Sequence, residues 1–225
     1  RPDSITREKL QAIKHHPVTR ISINPQTMKQ ETLDIIGRRH TVQETEQAFK
    51  LARECGFDNI NMDLIVGLPG EDKAMVEHTL EEVRRLAPDS LTVHSLAVKR
   101  AARLNMFKDK YQEMTFENNQ EIMDMTMKTA YEMEMGPYYL YRQKNMKGNF
   151  ENVGYAKVDK AGIYNILIME EKQPIIALGA GGSSKLVFDH GRRIERAENV
   201  KDVTNYISRI DEMIERKRAG IQKWL

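Results

Sequence analysis

Polar and apolar positions along this chain fall into two alternating rhythms. Ile60 to Val66 is an apolar-rich run of strand length, interrupted by one acid, Asp63. Gly67-Leu-Pro-Gly70 then supplies turn residues that stop it, and Glu71 to Leu86 reads as a helix. The same order appears upstream. Thr19 to Ile23 predicts a short strand closed by Asn24-Pro25, and a helix follows from Gln26 through Leu33 and Ile36 to Gly37. Thr41 and Glu44 have the spacing of a capping box, and the helix they start carries Ala48, Leu51, Ala52 and Cys55 before Gly56 ends it. Pro88-Asp89 breaks the helix after Glu71, and Ser90 to Val98 predicts another strand. Ahead of all these, Ser4 to His15 reads as a helix with Ile5, Leu10 and Ile13 on one side.

Residues 19–98 therefore give β, α, β, α, β with short connections, the rhythm of parallel strands joined by right-handed crossovers. Three such strands alone leave open edges, and Thr19 to Ile23 would ordinarily have a preceding strand beside it. The chain also opens at once on a helix-start pattern, Arg1-Pro-Asp-Ser-Ile-Thr6. Both features predict a piece of a longer protein, able to pair with its missing half or with itself through the open edge.

Beyond residue 100 the pattern changes. A basic turn, Lys99-Arg-Ala-Ala-Arg103, leads to a helix over about Thr115 to Glu134 that carries Met123, Met125, Met127 and Met133. Tyr138-Tyr-Leu-Tyr141 and a polar loop precede strands expected at Gly162–Met169 and Ile175–Leu178. Gly179-Ala-Gly-Gly-Ser-Ser184 links to short strands at Leu186–Phe188 and Arg192–Arg196, and an amphipathic helix spans about Val200 to Arg218. This half reads as α+β with mostly antiparallel strands, and the division into domains is expected at 1–104 and 105–225.

Composition narrows the function. With 225 residues, 40% of them apolar and 30% charged, the chain is long enough for a sizeable core. A net charge of +2 gives no reason to expect a nucleic acid or an anionic membrane as partner. No apolar run approaches a bilayer span. The single cysteine, Cys55, excludes a disulfide framework and any all-cysteine metal site built from this chain alone. It suits a reducing compartment, and a cytoplasmic location is expected.

Asp63 is the leading candidate for chemistry. An acid inside an apolar strand is costly to bury without a partner, and strand ends are where α/β folds place ligands. The competing explanation is an ion pair with an arginine that merely holds the strand. Gln26 occupies the same relative place after the preceding strand, although a lone glutamine after Asn-Pro is commonly just loop. Arg38 and Arg39 close the next helix, where cations ordinarily partner the helix dipole. The glycine loop at 179–184 lacks the strand–loop–helix context of a dinucleotide site, because strand follows it. The histidines show no metal-ligand spacing, the methionines suit adaptable core packing, and Tyr138, Tyr139 and Tyr141 suit a half-buried strand.

Three segments carry a family resemblance: Arg20-Ile-Ser-Ile-Asn-Pro-Gln26, Ile36-Gly-Arg-Arg-His40, and Gly56-Phe-Asp-Asn-Ile-Asn-Met-Asp-Leu-Ile-Val-Gly-Leu-Pro-Gly70. In this order and spacing the chain resembles the oxygen-independent coproporphyrinogen III oxidases (dehydrogenases) of the radical S-adenosylmethionine superfamily. Arg1-Pro-Asp-Ser-Ile-Thr6, Tyr164-Asn165 and Leu178-Gly-Ala-Gly-Gly182 are similar to further parts of that family. The resemblance implies an α/β fold, the C-terminal part (strands four to six) of a partial (β/α)6 barrel of the TIM-like type, followed by a smaller α+β domain. It implies S-adenosylmethionine contacts at Gln26, Arg38, Asp63, Ala97 and Ser183, and a role in oxidative decarboxylation of a tetrapyrrole in haem biosynthesis. Lys99, Arg100 and Arg103 are our own candidates to meet the carboxylates of that substrate. The family's C-x3-C-x2-C loop for a [4Fe–4S] cluster is absent, so no metal ligand is expected in this chain, and the chain alone is expected to be inactive. Two alternatives stand beside this reading: a haem-binding chaperone or carrier related to the same family, and a nucleotide-binding α/β domain without radical chemistry.

Overall fold

The computed structural model describes residues 1–96, 118–141 and 150–224. These form two compact units, Arg1–Gly162 and Ile163–Leu225. The expected domain division at 104/105 lies outside the described residues.

The first unit is built on a sheet of order β1-β2-β3-β5-β4. β1 (Ile21–Ser22), β2 (Ile60–Val66) and β3 (Ser90–Ser95) are parallel, and β5 (Asn152–Ala156) and β4 (Gly136–Tyr141) add to β3 in antiparallel fashion. The helices of this unit are α1 (Arg7–Lys14), α2 (Gln30–Ile35), α3 (Val42–Glu54), α4 (Lys73–Leu86) and α5 (Gln120–Glu132). The β-α-β-α-β order read from residues 19–98 is thus present as three parallel strands.

Local chemistry accounts for the helix starts. Thr41 accepts from the Glu44 amide at 3.0 Å while the Glu44 carboxylate accepts from the Thr41 amide at 2.7 Å, the reciprocal capping box expected. Asp72 and Asn119 cap α4 and α5 in the simpler way. One side of the sheet and the apolar stripes of the helices share a single core. Ile60, Met62, Leu64 and Val66 of β2 and Leu91 and Val93 of β3 meet Phe49 and Ala52 of α3, Leu80 and Val83 of α4, and Ile122 of α5. Each large side chain buried this fully contributes about 2 kcal/mol.

The ends of the strands near Ile60 and Ser90 are tied down by an ion pair. Arg53 donates to the Asp89 carboxylate at 2.7 Å and to the Phe57 and Ala87 carbonyls, and the same Asp89 oxygen accepts the Ile60 amide at 2.8 Å.

Several elements differ from the sequence reading. The helix expected from Gln26 begins at Gln30, because Gln26 resumes pairing with β2: its amide donates to Asp63 and its carbonyl accepts from Ile65. β5 occupies part of what reads as polar loop; Asn152, Gly154 and the small Ala156 mask its strand character.

The second unit contains α6 (Ile163–Met169), the antiparallel hairpin β6 (Ser183–Phe188) and β7 (Arg193–Glu198), α7 (Val203–Ser208) and α8 (Ile210–Trp224). A strand was expected at 162–169, and the segment is a helix. A short apolar run carries no period that separates the two. As a helix it satisfies its backbone internally, with Glu170 donating to Ile166 at 2.9 Å, whereas a strand would need a ladder partner. The strand expected at Ile175–Leu178 shrinks to one bridge between Ile175 and Lys185. The single C-terminal helix is two, breaking at Arg209.

Candidate functional site

The side of the sheet opposite the core carries a row of polar groups. Along β2, Asn61, Asp63 and Ile65 alternate with the core residues, as a period of two requires. Asp63 lies opposite Thr92 of β3, Thr92 opposite Gly154 of β5, and Gly154 opposite Tyr139 of β4. These four residues form one rung across the sheet. A Cβ on Gly154 would stand 2.0 Å from the Tyr139 ring, so only glycine lets the ring lie across β5. The Tyr139 ring thereby lies against β5, and burial raises the Tyr139 pKa.

Asp63 is the centre of the row. Asn24 donates to Oδ2 at 2.7 Å, and Asn61 donates to Oδ1 at 2.6 Å. Asn61 is itself held, because its own Oδ1 accepts from Thr92 at 3.2 Å. Hydrogen bonds thus run from Thr92 through Asn61 to Asp63, then on to Asn24. No arginine pairs with Asp63 among the described residues. His94 Nε2 lies 3.9 Å from Oδ2; burial pulls the His94 pKa below its ordinary value, and the Asp63 charge opposes that pull. Asp63 and His94 keep side-chain exposures of 23% and 34%, enough for a ligand to reach both.

Gln26 joins this region through its backbone, with its amide donating to the Asp63 carbonyl at 3.0 Å. Its φ of 74° is a left-handed conformation that a non-glycine residue adopts at a cost of about 1 kcal/mol. Such strain is characteristic of sites that the surrounding structure holds in place. Arg38 follows the end of α2, its amide donating to Leu33 at 2.8 Å; its guanidinium has no ion-pair partner among the described residues. Beside it His40 is buried, with Nε2 against the Pro25 carbonyl at 3.1 Å. Burial lowers the His40 pKa, and the charge of Arg38 lowers it further.

Ser183 opens β6 in the second unit, where its hydroxyl donates to Glu198 at 3.2 Å. Ala97, Lys99, Arg100 and Arg103 lie outside the described residues. The glycine loop before Ser183 leads into a strand, as read from the sequence; Gly179 and Gly181 take φ of 90° and 72°. Cys55 caps α3 and accepts a long contact from Arg7 at 3.8 Å. Asn24, Asn61 and Thr92 were not singled out from the sequence, and Tyr139 was read only as a half-buried strand residue. The signal was there in Asn61/Asp63 and Ser90/Thr92/His94, polar residues at every second position of two strands.

Comparison with known proteins defines the class first. Residues 1–83 match the Radical SAM superfamily model. Over 94% of its length the chain superposes on a solved structure described as "Coproporphyrinogen III oxidase (HemN) from Escherichia coli is a Radical SAM enzyme", at a TM-score of 0.66 and 20% identity and over 47% of that chain. The fold is accordingly part of a radical SAM barrel with an added smaller unit. More particularly, the chain is 46% identical over 217 residues to the "Oxygen-independent coproporphyrinogen-III oxidase-like protein HemZ" of Bacillus subtilis, covering 96% of this chain and 43% of that protein. It is also 38% identical over 98 residues to "Heme chaperone HemW" of the same organism, covering 44% of this chain and 26% of that one. The resemblance read from the three sequence segments is borne out. The chain spans less than half the length of the curated relatives it matches.

The residues present can be tested against the groups this superfamily implies. One cysteine in the whole chain does not fit a cluster held by three, and no group of metal-ligating side chains occurs among the described residues. S-adenosylmethionine fits better. Asp63 offers acceptors to hydroxyls or an ammonium, and Asn24 Oδ1 and Arg20 Nε are buried without a hydrogen-bond partner among the described residues. No described helix is long and apolar enough to cross a membrane.

Proposed function

We propose that this chain supplies the S-adenosylmethionine-binding part of a radical S-adenosylmethionine enzyme that converts coproporphyrinogen III to protoporphyrinogen IX. The observation that carries the reading is the Asp63 carboxylate, unpaired by any arginine among the described residues, gripped by two asparagines and reachable from solvent. Asp63 and Gln26 are proposed to take the ribose hydroxyls or the methionyl amine, and Arg38 the methionyl carboxylate. Ala97 and Ser183 are proposed to complete the contacts. Lys99, Arg100 and Arg103 are proposed to receive the carboxylates of the tetrapyrrole. When bound, S-adenosylmethionine supplies the hydrogen-abstracting chemistry of the superfamily; the residues named here bind and orient it. The match to a coproporphyrinogen oxidase-like relative over 96% of the chain supports the substrate class.

The test is equilibrium dialysis of S-adenosylmethionine against this chain, followed by anaerobic iron, sulfide and 5′-deoxyadenosine analysis. The second step compares this chain with one that also carries a C-x3-C-x2-C segment. Binding by both, with cleavage only by the second, is expected. Failure of both to bind removes the proposal. A second reading, haem carriage, is favoured by the stretch of 38% identity to a haem chaperone. It predicts a saturable Soret shift on haem titration, with no dependence on S-adenosylmethionine.

A further inference from the structure

The left-handed backbone of Gln26 is gripped through both of its neighbours. On one side, the Pro25 carbonyl lies 3.1 Å from His40 Nε2. A carbonyl only accepts, so the histidine nitrogen donates. On the other side, Thr27 donates to the Glu71 carboxylate at 2.5 Å, and its hydroxyl oxygen lies 3.2 Å from that of Thr79 on α4. The Met28 amide donates to the same Thr79 hydroxyl at 3.1 Å. Gln26 itself bonds β2 through its amide and its carbonyl. Four successive residues are thus tied to the segment before α3, to β2, and to the start and body of α4.

Both grips are costly. His40 is 1% exposed, and with Nε2 donating, a neutral ring keeps only an acceptor at Nδ1. That nitrogen is buried without a hydrogen-bond partner among the described residues. Glu71 is an ionisable group placed among buried residues. Each arrangement costs free energy that an apolar side chain would not. A glycine at position 26 would take a φ of 74° without strain, whereas a glutamine takes it only where the surroundings over-determine it. Two buried ionisable side chains on the neighbours of one strained residue serve the placing of that residue better than they serve packing.

We infer that His40 and Glu71 are positioning residues: by gripping Pro25 and Thr27 they hold Gln26 in the conformation that meets S-adenosylmethionine. This deepens the proposed function and rests on its placing of S-adenosylmethionine at Gln26. It adds two buried residues that act through the neighbours of Gln26.

The experiment measures S-adenosylmethionine affinity by calorimetry on the whole chain, with a thermal melt for each variant. His40→Leu removes the donor to Pro25, and Thr27→Val removes the hydroxyl that meets Glu71. With one grip gone, Gln26 can leave a conformation that is disfavoured about fivefold, and affinity falls with the population that stays competent. Each of the two variants is therefore expected to bind about fivefold more weakly. His40→Gln, which keeps a donor, and Glu71→Gln, which keeps an acceptor for Thr27, are expected to retain affinity. The same two grip substitutions are then made beside Gln26→Gly. Gln26→Gly is itself expected to weaken binding, and the grip substitutions to weaken it no further, because the side chain they place is gone. A merely structural role would weaken binding in both backgrounds. Thr27→Val keeps the test decisive if His40→Leu does not fold, since it loosens the opposite side of Gln26. If Gln26→Gly binds as tightly as the unaltered chain, the placing of S-adenosylmethionine at Gln26 is wrong and the inference falls with it. If Gln26→Gly weakens binding while the folded grip variants bind like the unaltered chain, that placing stands and the inference about His40 and Glu71 is overturned. Equal weakening with and without Gln26 overturns it too.

Discussion

Arg53 Nη1 lies 2.7 Å from Asp89 Oδ2, and the same carboxylate oxygen accepts the amide that opens β2. The pair is largely buried, with side-chain exposures of 30% and 11%. Removing one partner leaves a buried charge alone, at a cost of about 3 kcal/mol. Asp89→Ala is expected to lower the urea midpoint accordingly while leaving S-adenosylmethionine affinity unchanged in the folded fraction. Asp63→Ala should do the reverse, weakening affinity more than folding. That pair of outcomes would separate the two acids into a structural and a ligand-facing role.

Gly154→Ala should be among the most disruptive small substitutions in the chain. The new methyl would meet the Tyr139 ring well inside van der Waals contact. The ring must move off β5. A loss of about 2 kcal/mol is expected, with a changed near-ultraviolet tyrosine signal. An unchanged signal at full stability would show that the ring does not rest on β5.

Glu71 makes the fold lose stability as pH rises above 4.5. It is 2% exposed, Thr27 donates to it at 2.5 Å, and burial raises its pKa above 4.5. A carboxyl that holds its proton more tightly when folded contributes stability below pH 4.5 and loses it as pH rises through the folded value. Glu71→Gln keeps an acceptor for Thr27 and removes the charge. It should raise the melting temperature at pH 7 by a few degrees, corresponding to about 1 kcal/mol.

His40 acts in the opposite direction. Its pKa is lowered from 6.5 by burial, so the unfolded chain takes up a proton before the folded one does. Stability from this residue is present above pH 6.5 and lost as pH falls from there toward the folded value. Melting temperatures measured from pH 7.5 to 5 should show that decline, and His40→Asn should flatten it.

β1 is an edge of the described sheet. Ile21 and Ile23 donate to Asn59 and Asn61, which turns the amide of the intervening Ser22 toward the other side. An exposed row of this kind invites another strand. The chain is expected to self-associate in light-scattering measurements, and Ser22→Pro, which removes that outward donor, should reduce the association.

The parallel half of the sheet was legible in the sequence because its signals are local: Thr41 and Glu44 for a helix start, Gly67 and Pro69 for a strand end. Asp63 stood out because one acid in an apolar run is anomalous. What gives Asp63 its setting was harder to see. Asn24 reaches Asp63 from the loop after β1, and only the register of β2, β3, β5 and β4 puts Tyr139 on the same rung. The segment Ile163–Met169 was misread because its composition suits a strand and its backbone bonds are those of a helix. β5 was missed because its glycine, which weakens the strand signal, is there to seat a ring from the next strand.

The alternation along β2 has one more consequence. Met62 and Leu64 face the helices, while Asn61 and Asp63 between and before them face the open side. Deleting a single residue at the head of this strand would send a carboxylate into the oily interior and a methionine out to the open side. Such a chain would fail to fold before it could bind wrongly. The packing of the interior therefore works as a proofreading step: a molecule that passes it has already aimed its acid.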